Sequence, residues 1–335
     1  MNRQRKDNAM IVRSLVALVA VLLAVPMLFA DAVAQPKPKT SATLRIDWIP
    51  GSHHIGPLLA VERGYYAEEG LDLAVKPGKG SGATVQAVAA GSDLFGFADA
   101  GVMAIAASKG APLVMVANTT PRGPNGAITL GPKLTSPKEL EGKTLGMVPG
   151  EASQAAVSAL MAKYQIPPTA YRVISVEAAS KVPALLTAKV DVIPGFRFGD
   201  FLRAYAQNKN TKITLFSDWG LNILGNGYFV TTGTLAEKPE MVKSFLRATM
   251  RGWKEAMADP KAGVASLMKA YPETNREFAE LGLPMVFEHM QSEATKGKPL
   301  GWMADEDWRV TLEVMKGAGL EGTSPPAKFY RNVIE

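Results

Sequence analysis

Apolar and polar residues follow two alternating periods along the first two thirds of the chain. Short apolar runs, typical of buried strands, are separated by segments with helical spacing, several of which end at a glycine. The pattern predicts strands at residues 43–48, 71–76, 94–98 and 113–118, with helices at 57–69, 83–90 and 101–109 between them. Strands that alternate with helices in this way indicate an α/β fold with a mostly parallel sheet.

A second series of the same kind follows a segment rich in proline and glycine around residues 120–132. Ser136 and Glu139 have the spacing of a capping box, and strands are predicted at 144–148, 172–176 and 191–194. Beyond residue 232 the pattern is almost wholly helical. Helix starts are predicted near Pro239, Pro260, Asn275 and Asp305.

The two series predict two α/β lobes. Lobe 1 takes residues 35–125 and 227–335, and lobe 2 takes residues 126–226. The chain would cross between the lobes twice, near residues 124–128 and 226–230, and two crossings make a hinge beside a ligand cleft.

The first 34 residues have the pattern of a signal peptide. A basic start precedes an uncharged apolar run at residues 14–30, and Ala32-Val33-Ala34 gives a small-x-small site before Gln35. A membrane anchor is the alternative, but the run is at the lower limit of spanning length. The chain has no cysteine, so neither a disulfide nor a lipoprotein anchor is available. We expect the mature protein to be free in the periplasm.

Composition and motifs give little support for catalysis or nucleic-acid binding. The formal net charge is +6, but Lys and Arg are scattered and form no basic stripe with aromatic residues, so no nucleic-acid partner is expected. The sequence contains no G-x-S-x-G or H-E-x-x-H motif and no cysteine nucleophile. Two adjacent histidines without a matched carboxylate make a poor zinc site.

The loops after the predicted strands are small and polar, and ligands bind at this edge of open α/β sheets. Trp48 stands at the end of the first predicted strand, where it either forms a wall that stacks on a ring or caps the core. Adjacent loop histidines are often solvated, and this interpretation is favoured for His53. Arg197 lies between two phenylalanines, and it is either a surface arginine packed on their rings or a ligand contact. The GKGSG loop lacks the spacing of a phosphate-binding loop.

Several stretches resemble one known family. DWIPGSHHIG and AVERGYYAEEGLDL are similar to the opening of periplasmic solute-binding proteins for ABC importers of thiamine-precursor pyrimidines, nitrate, taurine and alkanesulfonates. GSGATVQAVAAGSDLFGFADA, SPKELEGKTLGM and GWMADEDW extend the resemblance over essentially the whole mature chain. It implies a two-lobed type II periplasmic-binding-protein fold that closes on a small molecule and delivers it to a membrane permease. A monomer is expected.

The resemblance also assigns roles to single residues. Trp48 matches the tryptophan that stacks on a heteroaromatic ring, and His54, rather than His53, matches the family histidine. Gly51 stands where the family commonly has Asn, and Arg197 departs from the family loop in a way that would favour an anionic ligand. A thiamine-precursor pyrimidine is the first candidate ligand, and a sulfonate, taurine or an aromatic carboxylate is the alternative.

An enzyme shares this fold and opening, the eukaryotic pyrimidine synthase of thiamine biosynthesis. Its lysine for pyridoxal phosphate and its consumed histidine correspond to Ala98 and Val102, and its cysteine-rich segment has no counterpart. We therefore expect a binding protein with no catalytic residue, no cofactor and no metal. The candidate ligand-binding residues are Trp48, His54, Ser81, Gly82, Asp99, Ala100, Glu151, Phe196, Arg197 and Asn222.

Overall fold

The computed structural model describes residues 39–334, and the predicted signal peptide lies outside them. The described strands form two five-stranded sheets. The first sheet contains β1 Thr40–Ile46, β2 Leu71–Lys76, β3 Phe95–Asp99, β4 Leu113–Asn118 and β10 Asn226–Thr231. The second contains β5 Asn125–Leu130, β6 Thr144–Met147, β7 Arg172–Ser175, β8 Val192–Phe196 and β9 Thr211–Leu215.

The two sheets have the same topology. Their strand orders are β2-β1-β3-β10-β4 and β7-β6-β8-β5-β9. In each sheet one strand is reversed: β10 pairs antiparallel with β3 and β4, and β5 pairs antiparallel with β8 and β9. The reversed strand is the first strand after the chain arrives from the other sheet. Both sheets are therefore mostly parallel, as predicted, with one exception each.

Helices follow most of the strands. They are α1 Ile55–Glu62, α2 Tyr65–Glu68, α3 Ser81–Ala89, α4 Ala100–Ser108, α5 Ala152–Lys163, α6 Ala178–Leu186, α7 Leu202–Gln207, α8 Thr232–Glu237, α9 Pro239–Ala258, α10 Pro260–Ala270, α11 Arg276–Glu288 and α12 Asp305–Met315. All four predicted helix starts after residue 232 are confirmed. Among residues 39–334, no helix has the length and apolar character needed to cross a membrane.

Most of the other predicted bounds differ from the structure by one to three residues, and three predicted features differ in ways that matter for the site or the core. The first strand ends at Ile46, so Trp48 lies in the loop that follows it. The helix predicted at 57–69 is divided into α1 and α2, because Gly64 has a left-handed backbone with φ of 75° that ends α1. The capping box of Ser136 and Glu139 is present, but it begins only a short 3₁₀ turn, Pro137–Leu140.

The two segments that connect the sheets lie side by side. The chain leaves the first sheet after Asn118 and returns to it at Asn226. Gly225 of the returning segment donates its N–H to the Thr120 carbonyl at 2.8 Å, and its own carbonyl accepts from Asn118 Nδ2 at 3.0 Å. Adjacent crossing segments of this kind can act as a hinge.

Close helix packing supports the first sheet. α9 crosses α1 where a Cβ on Gly252 would stand 2.2 Å from the Gly56 carbonyl oxygen, and a Cβ on Gly56 would meet the Trp253 ring at 2.4 Å. Only glycine permits this approach. Trp253 is fully buried, and Phe95 stacks on Phe245 with a centroid distance of 3.9 Å. This core fixes α1 and the loop that precedes it.

Candidate functional site

A small cavity lies where the carboxyl ends of the parallel strands of both sheets face each other. Its lining residues are Asp47, Trp48, His53, Ser81, Glu151, Ala152, Ser153, Phe196, Gly199 and Asp200. Its volume is about 30 Å³, room for little more than a water molecule. Ligand pockets usually hold about 300–1,000 Å³. A wider groove of about 370 Å³ opens beside it, and His53 and Gly199 line both spaces.

Trp48 forms one wall of the cavity. Its side chain is half-buried, so it is a poor fit to the alternative interpretation as a cap of the core. Lys181 Nζ, from the second sheet's side, lies 5.7 Å from the centroid of its ring. Phe196, at the end of β8, lines the same cavity. Aromatic surface from both sheets therefore faces one space.

Asp47 is the polar centre of the first sheet's side. Its Oδ2 accepts from Asn226 Nδ2 at 2.8 Å and from Ser81 Oγ at 3.3 Å, while Oδ1 lies 3.1 Å from His54 Nε2. The residue is 3% exposed, and burial raises the pKa of its carboxyl group. These three partners come from a helix, a reversed strand and a loop, so only the tertiary fold brings them to the Asp47 carboxylate.

The two adjacent histidines have different environments. The Gly51 N–H donates to His54 Nδ1 at 3.2 Å, so the proton of this ring is on Nε2, which donates to Asp47. His54 is fully buried, burial lowers its pKa to about 3, and it does not line the cavity. Both of its ring nitrogens are already used within the protein. His54 therefore holds the loop in place.

His53 is the histidine that faces the cavity. The prediction that it is solvated is wrong, since the 3₁₀ turn Ser52–His54 directs it inward and leaves it 4% exposed. Its ring packs 5.1 Å from the ring of Phe198, centroid to centroid. Neither ring nitrogen has a hydrogen-bond partner among residues 39–334. Burial, followed by the neighbouring His54, lowers the pKa of His53 well below its usual value, so the ring is neutral.

The two histidines do have a matched carboxylate, Asp47, contrary to the prediction from the sequence. Asp47, His53 and His54 offer ligand atoms that all lie within 4.8 Å of one another. A metal would need the lone pair of His54 Nε2, however, and that nitrogen carries the proton because Nδ1 accepts from Gly51. The hydrogen bonds of the loop thus oppose coordination of a metal by these three residues.

A buried ion cluster forms the second sheet's side of the site. Lys181 on α6 is fully buried and contacts Glu151 Oε2 and, at 3.1 Å, Asp200 Oδ2. Burial opposes the charge of Lys181, but the attraction of Asp200 and Glu151 outweighs it and raises the lysine pKa. Burial raises the pKa of Glu151 to about 7, against the opposing effect of Lys181. Lys181 therefore remains charged and holds both carboxylates at the cavity.

The structure places the ten predicted ligand-binding residues in three groups. Four of them line the cavity: Trp48, Ser81, Glu151 and Phe196. Four lie immediately behind or beside the lining: His54, Gly82, Asp99 and Ala100. Arg197 and Asn222 are elsewhere: Arg197 Nη1 pairs with Glu288 at 2.6 Å, and Asn222 lines a separate groove beside the crossing segments.

The predicted set lacks four charged or imidazole side chains of the site, Asp47, His53, Lys181 and Asp200, and three smaller lining residues, Ala152, Ser153 and Gly199. A lysine followed by Val182, Ala184 and Leu185 on a helix indicates a buried position and could have marked Lys181. The local sequence does not show which histidine faces the cavity, because the direction of each ring is set by the 3₁₀ turn Ser52–His54.

A family model described as NMT1/THI5 like matches residues 51–263. The chain belongs to the NMT1/THI5-like family. Among its relatives, the riboflavin-binding protein RibY of Chloroflexus aurantiacus is 25% identical to this chain, over 87% of this chain and 86% of its own length. The 4-amino-5-hydroxymethyl-2-methylpyrimidine phosphate synthase of Legionella pneumophila is 24% identical over 70% of this chain and 75% of its own length.

Solved structures of periplasmic binding proteins are also similar to this chain. The periplasmic aliphatic sulphonate binding protein SsuA from Escherichia coli matches with a TM-score of 0.64 and 13% identity, over 84% of this chain and 86% of that one. At this identity the likeness shows the fold alone. The fold is the two-lobed type II periplasmic-binding-protein fold, as predicted, and together with the likeness to RibY it supports a solute-binding role.

Proposed function

We propose that this protein is the extracytoplasmic solute-binding component of an ABC importer and captures a small aromatic or heteroaromatic molecule. The observation that carries the proposal is the cavity wall: Trp48 from one sheet and Phe196 from the other face the same space at the carboxyl ends of the strands. Two lobes, residues 35–125 with 227–335 and residues 126–226, would close on a ring from opposite sides. Offset stacking on such surfaces suits flat heterocycles.

Hinge closure explains the small cavity. In the present form Gly82 N–H donates to the Gly150 carbonyl at 3.0 Å, and Arg197 pairs with Glu288, both across the cleft. Both contacts would be lost if the lobes moved apart, so we assign this form to a closed state. The adjacent crossing segments would let the lobes separate to admit a ligand. Solution scattering with and without saturating ligand should show a smaller radius of gyration when ligand is bound. An unchanged profile with proven binding would argue for fixed lobes.

A thiamine-precursor pyrimidine is the first candidate ligand. The relative from Legionella pneumophila is named for a pyrimidine phosphate and RibY for riboflavin, and both are flat nitrogen heterocycles. A sulfonate, taurine or an aromatic carboxylate is the alternative, motivated by the family that the opening stretch resembles and by Arg197. A synthase-like enzyme is a remote alternative, because Ala98 and Val102 offer no amine or imidazole at the matched positions.

The proposed location is the periplasm, and the proposed partner is the importer's membrane permease. Mass spectrometry of periplasmic material should show a chain that begins at Gln35 or within a few residues of it. Recovery of the intact chain in the membrane pellet would contradict the export prediction.

The stacking wall is tested by Trp48→Ala. Loss of a stacked ring and its apolar contact should weaken binding by about 2–3 kcal/mol, or roughly 30- to 150-fold in affinity. Trp302 is a matched control, since it is also half-buried and has Lys298 Nζ 5.8 Å from its ring centroid, but it does not line the cavity. Calorimetric titration of both variants with pyrimidines and riboflavin decides the question. Unaltered binding by Trp48→Ala would contradict the stacking wall and indicate that Trp48 has a structural role.

A further inference from the structure

The groove beside the cavity is lined by elements of both sheets. The loop of His53 and the start of α11 contribute to it from the side of the first sheet, and the starts of α6 and α7 contribute from the side of the second. Its volume of about 370 Å³ is in the range of small-molecule sites. Because His53 and Gly199 line both spaces, the groove adjoins the cavity and has room for a further chemical group.

Arg203, on α7, brings an unengaged positive charge into this groove. Its guanidinium makes no hydrogen bond within residues 39–334, and its ion-pair contact is with Asp200 Oδ1 at 3.9 Å, too long for a hydrogen bond. Asp200 is held more closely by Lys181, at 3.1 Å. Arg197, the contact that the sequence suggests for an anion, is instead paired with Glu288. The guanidinium that remains available for a planar acidic group is therefore that of Arg203.

His53 brings an unused donor from the side of the first sheet. It is 4% exposed, and neither ring nitrogen has a hydrogen-bond partner in the described part of the chain. The Asp47 carboxylate stands 4.0 Å from His53 Nε2, beyond hydrogen-bond distance. Burial is the largest cause of the low pKa of His53, and the positive charge of Arg203 lowers this pKa as well. The neutral ring has one N–H, and a buried donor of this kind calls for an acceptor.

The start of α6 adds backbone donors to the same groove. Ala178 and Ala179, the first two residues of this helix, line the groove, and the N-cap residue Glu177 forms no side-chain cap. The first N–H groups of a helix have no partner within it, and the helix dipole favours an anion there. The start of α11 is different, because Asn275 Oδ1 accepts from the Phe278 N–H at 3.1 Å.

Negative charge lies only at the edge of the groove. Glu273 is the one carboxylate among the described residues that line it, and Glu273 and Glu177 are both exposed to solvent. Water and salt screen exposed charges of this kind. A guanidinium, an imidazole N–H and a helix start therefore present donors to one space, and phosphate or carboxylate oxygens match this set of donors.

We infer that the groove binds an anionic oxygen group, a phosphate or a carboxylate, between Arg203 and His53 and outside the cavity. The two side chains come from elements of different sheets, so hinge closure brings them together and the anion should favour the closed form. The anion is either a substituent of the captured molecule or a free ion beside it. Only the position of the ring rests on the proposed function.

The test is calorimetric titration of the mature protein at constant ionic strength, set with chloride. The probes are inorganic phosphate, riboflavin with riboflavin 5′-phosphate, and 4-amino-5-hydroxymethyl-2-methylpyrimidine with its phosphate. A phosphate ester that binds at least about tenfold more tightly than its parent ring would identify a substituent as the anion. Tighter binding of the uncharged ring when inorganic phosphate is present would identify a free ion.

The contrary results separate the two proposals. Rings that bind with no gain from an ester and no effect of inorganic phosphate would overturn the anion site and leave ring capture intact. Inorganic phosphate that binds when no ring does would contradict ring capture and keep the anion site. The absence of all binding would overturn both.

Variants assign the anion to its residues. Arg203→Gln should weaken binding of inorganic phosphate or of the ester by roughly 10- to 100-fold, the range for hydrogen bonds to a charged group, and should remove the preference for the ester. Lys209→Gln is the control, because it removes the same charge from an exposed position outside the groove.

A conservative variant guards against a change in folding. Arg203→Lys keeps the charge without the planar fork and should recover part of the phosphate affinity. The melting temperature of each ligand-free variant is measured first. Phosphate binding that is as tight in Arg203→Gln as in the parent, or as tight as in Lys209→Gln, would refute the role of Arg203. Should Arg203→Gln fail to fold, full phosphate affinity in His53→Ala would refute the site.

Discussion

His53 and His54 are adjacent, yet the structure predicts opposite consequences for their replacement by alanine. His54→Ala removes the acceptor of the Gly51 N–H and the donor to Asp47 Oδ1. Each buried polar group left unpaired costs about 1–3 kcal/mol. Including the lost packing of a fully buried ring, we expect about 3–5 kcal/mol of destabilisation, which corresponds to roughly 6–10 °C in melting temperature for a protein of this size.

His53→Ala removes no hydrogen bond within the described residues, because neither nitrogen of His53 has a partner there. The variant loses the packing of this buried ring against Phe198, but no hydrogen bond, so its melting temperature should fall less than that of His54→Ala. Binding should also weaken, because a lost neutral hydrogen bond costs about 0.5–1.5 kcal/mol, or roughly 2- to 12-fold in affinity.

The assay is thermal unfolding of each ligand-free variant followed by calorimetric titration with 4-amino-5-hydroxymethyl-2-methylpyrimidine. His54→Gln is a useful third variant, since an amide can replace one of the two hydrogen bonds and should recover part of the stability. The assignment of roles would be refuted if His53→Ala destabilised the free protein as much as His54→Ala. It would also be refuted if His54→Ala weakened binding without changing the melting temperature.

Three further predictions concern stability. Burial raises the pKa of Glu151 from 4.5 to about 7, so between these pH values the folded state holds a proton that the unfolded state has lost. The free energy of unfolding should therefore fall as pH rises across that window, by up to about 1.4 kcal/mol per pH unit. Glu151→Gln should reduce this dependence on pH in denaturant titrations at several pH values. Lys181→Met leaves two buried carboxylates unpaired and should cost about 3–5 kcal/mol, and adding Glu151→Gln should restore part of that loss in thermal unfolding. Gly252→Ala should destabilise by about 1–3 kcal/mol or more because its Cβ meets the Gly56 carbonyl, whereas Gly233→Ala, whose nearest neighbour is 3.8 Å away, should be tolerated.

The sequence predicts the alternation of strands and helices well, because that pattern is local. β2 and β4 have the predicted bounds, and Pro239, Pro260 and Asp305 begin helices as expected. The reversed strands could not be predicted from periodicity, since an apolar run carries no information about direction. Direction follows from which sheet edge the chain reaches after it crosses.

Much of the candidate site was not predictable for a related reason. Ser81 and Glu151 follow or begin recognisable elements, and both line the cavity. Asp200 and Lys181 meet only because the short π-helical turn Arg197–Phe201 brings the carboxylate back towards α6. The ion pair of Arg197 could not be predicted because its partner, Glu288, lies 91 positions later in the chain. Charge partners separated in this way depend on the tertiary fold.

One signal in the sequence does connect the reversed strands to the cleft. Both begin with Asn-Gly: Asn125 and Gly126 in β5, and Asn226 and Gly227 in β10. A Cβ on Gly126 would meet the Thr214 carbonyl oxygen at 2.6 Å, and one on Gly227 would meet the Ala117 carbonyl oxygen at 2.5 Å, so each glycine lets the reversed strand lie against its neighbour.

The preceding asparagines lie at the cleft edge of their sheets, because a reversed strand begins where its parallel neighbours end. Asn226 donates to Asp47, and Asn125 accepts from Ser153 Oγ at 2.7 Å. The two lobes thus use the same dipeptide for the same two purposes, close strand packing and a buried amide that orients a residue of the cavity wall. This equivalence, which composition and periodicity do not show, ties the mixed topology of each sheet to the site between them.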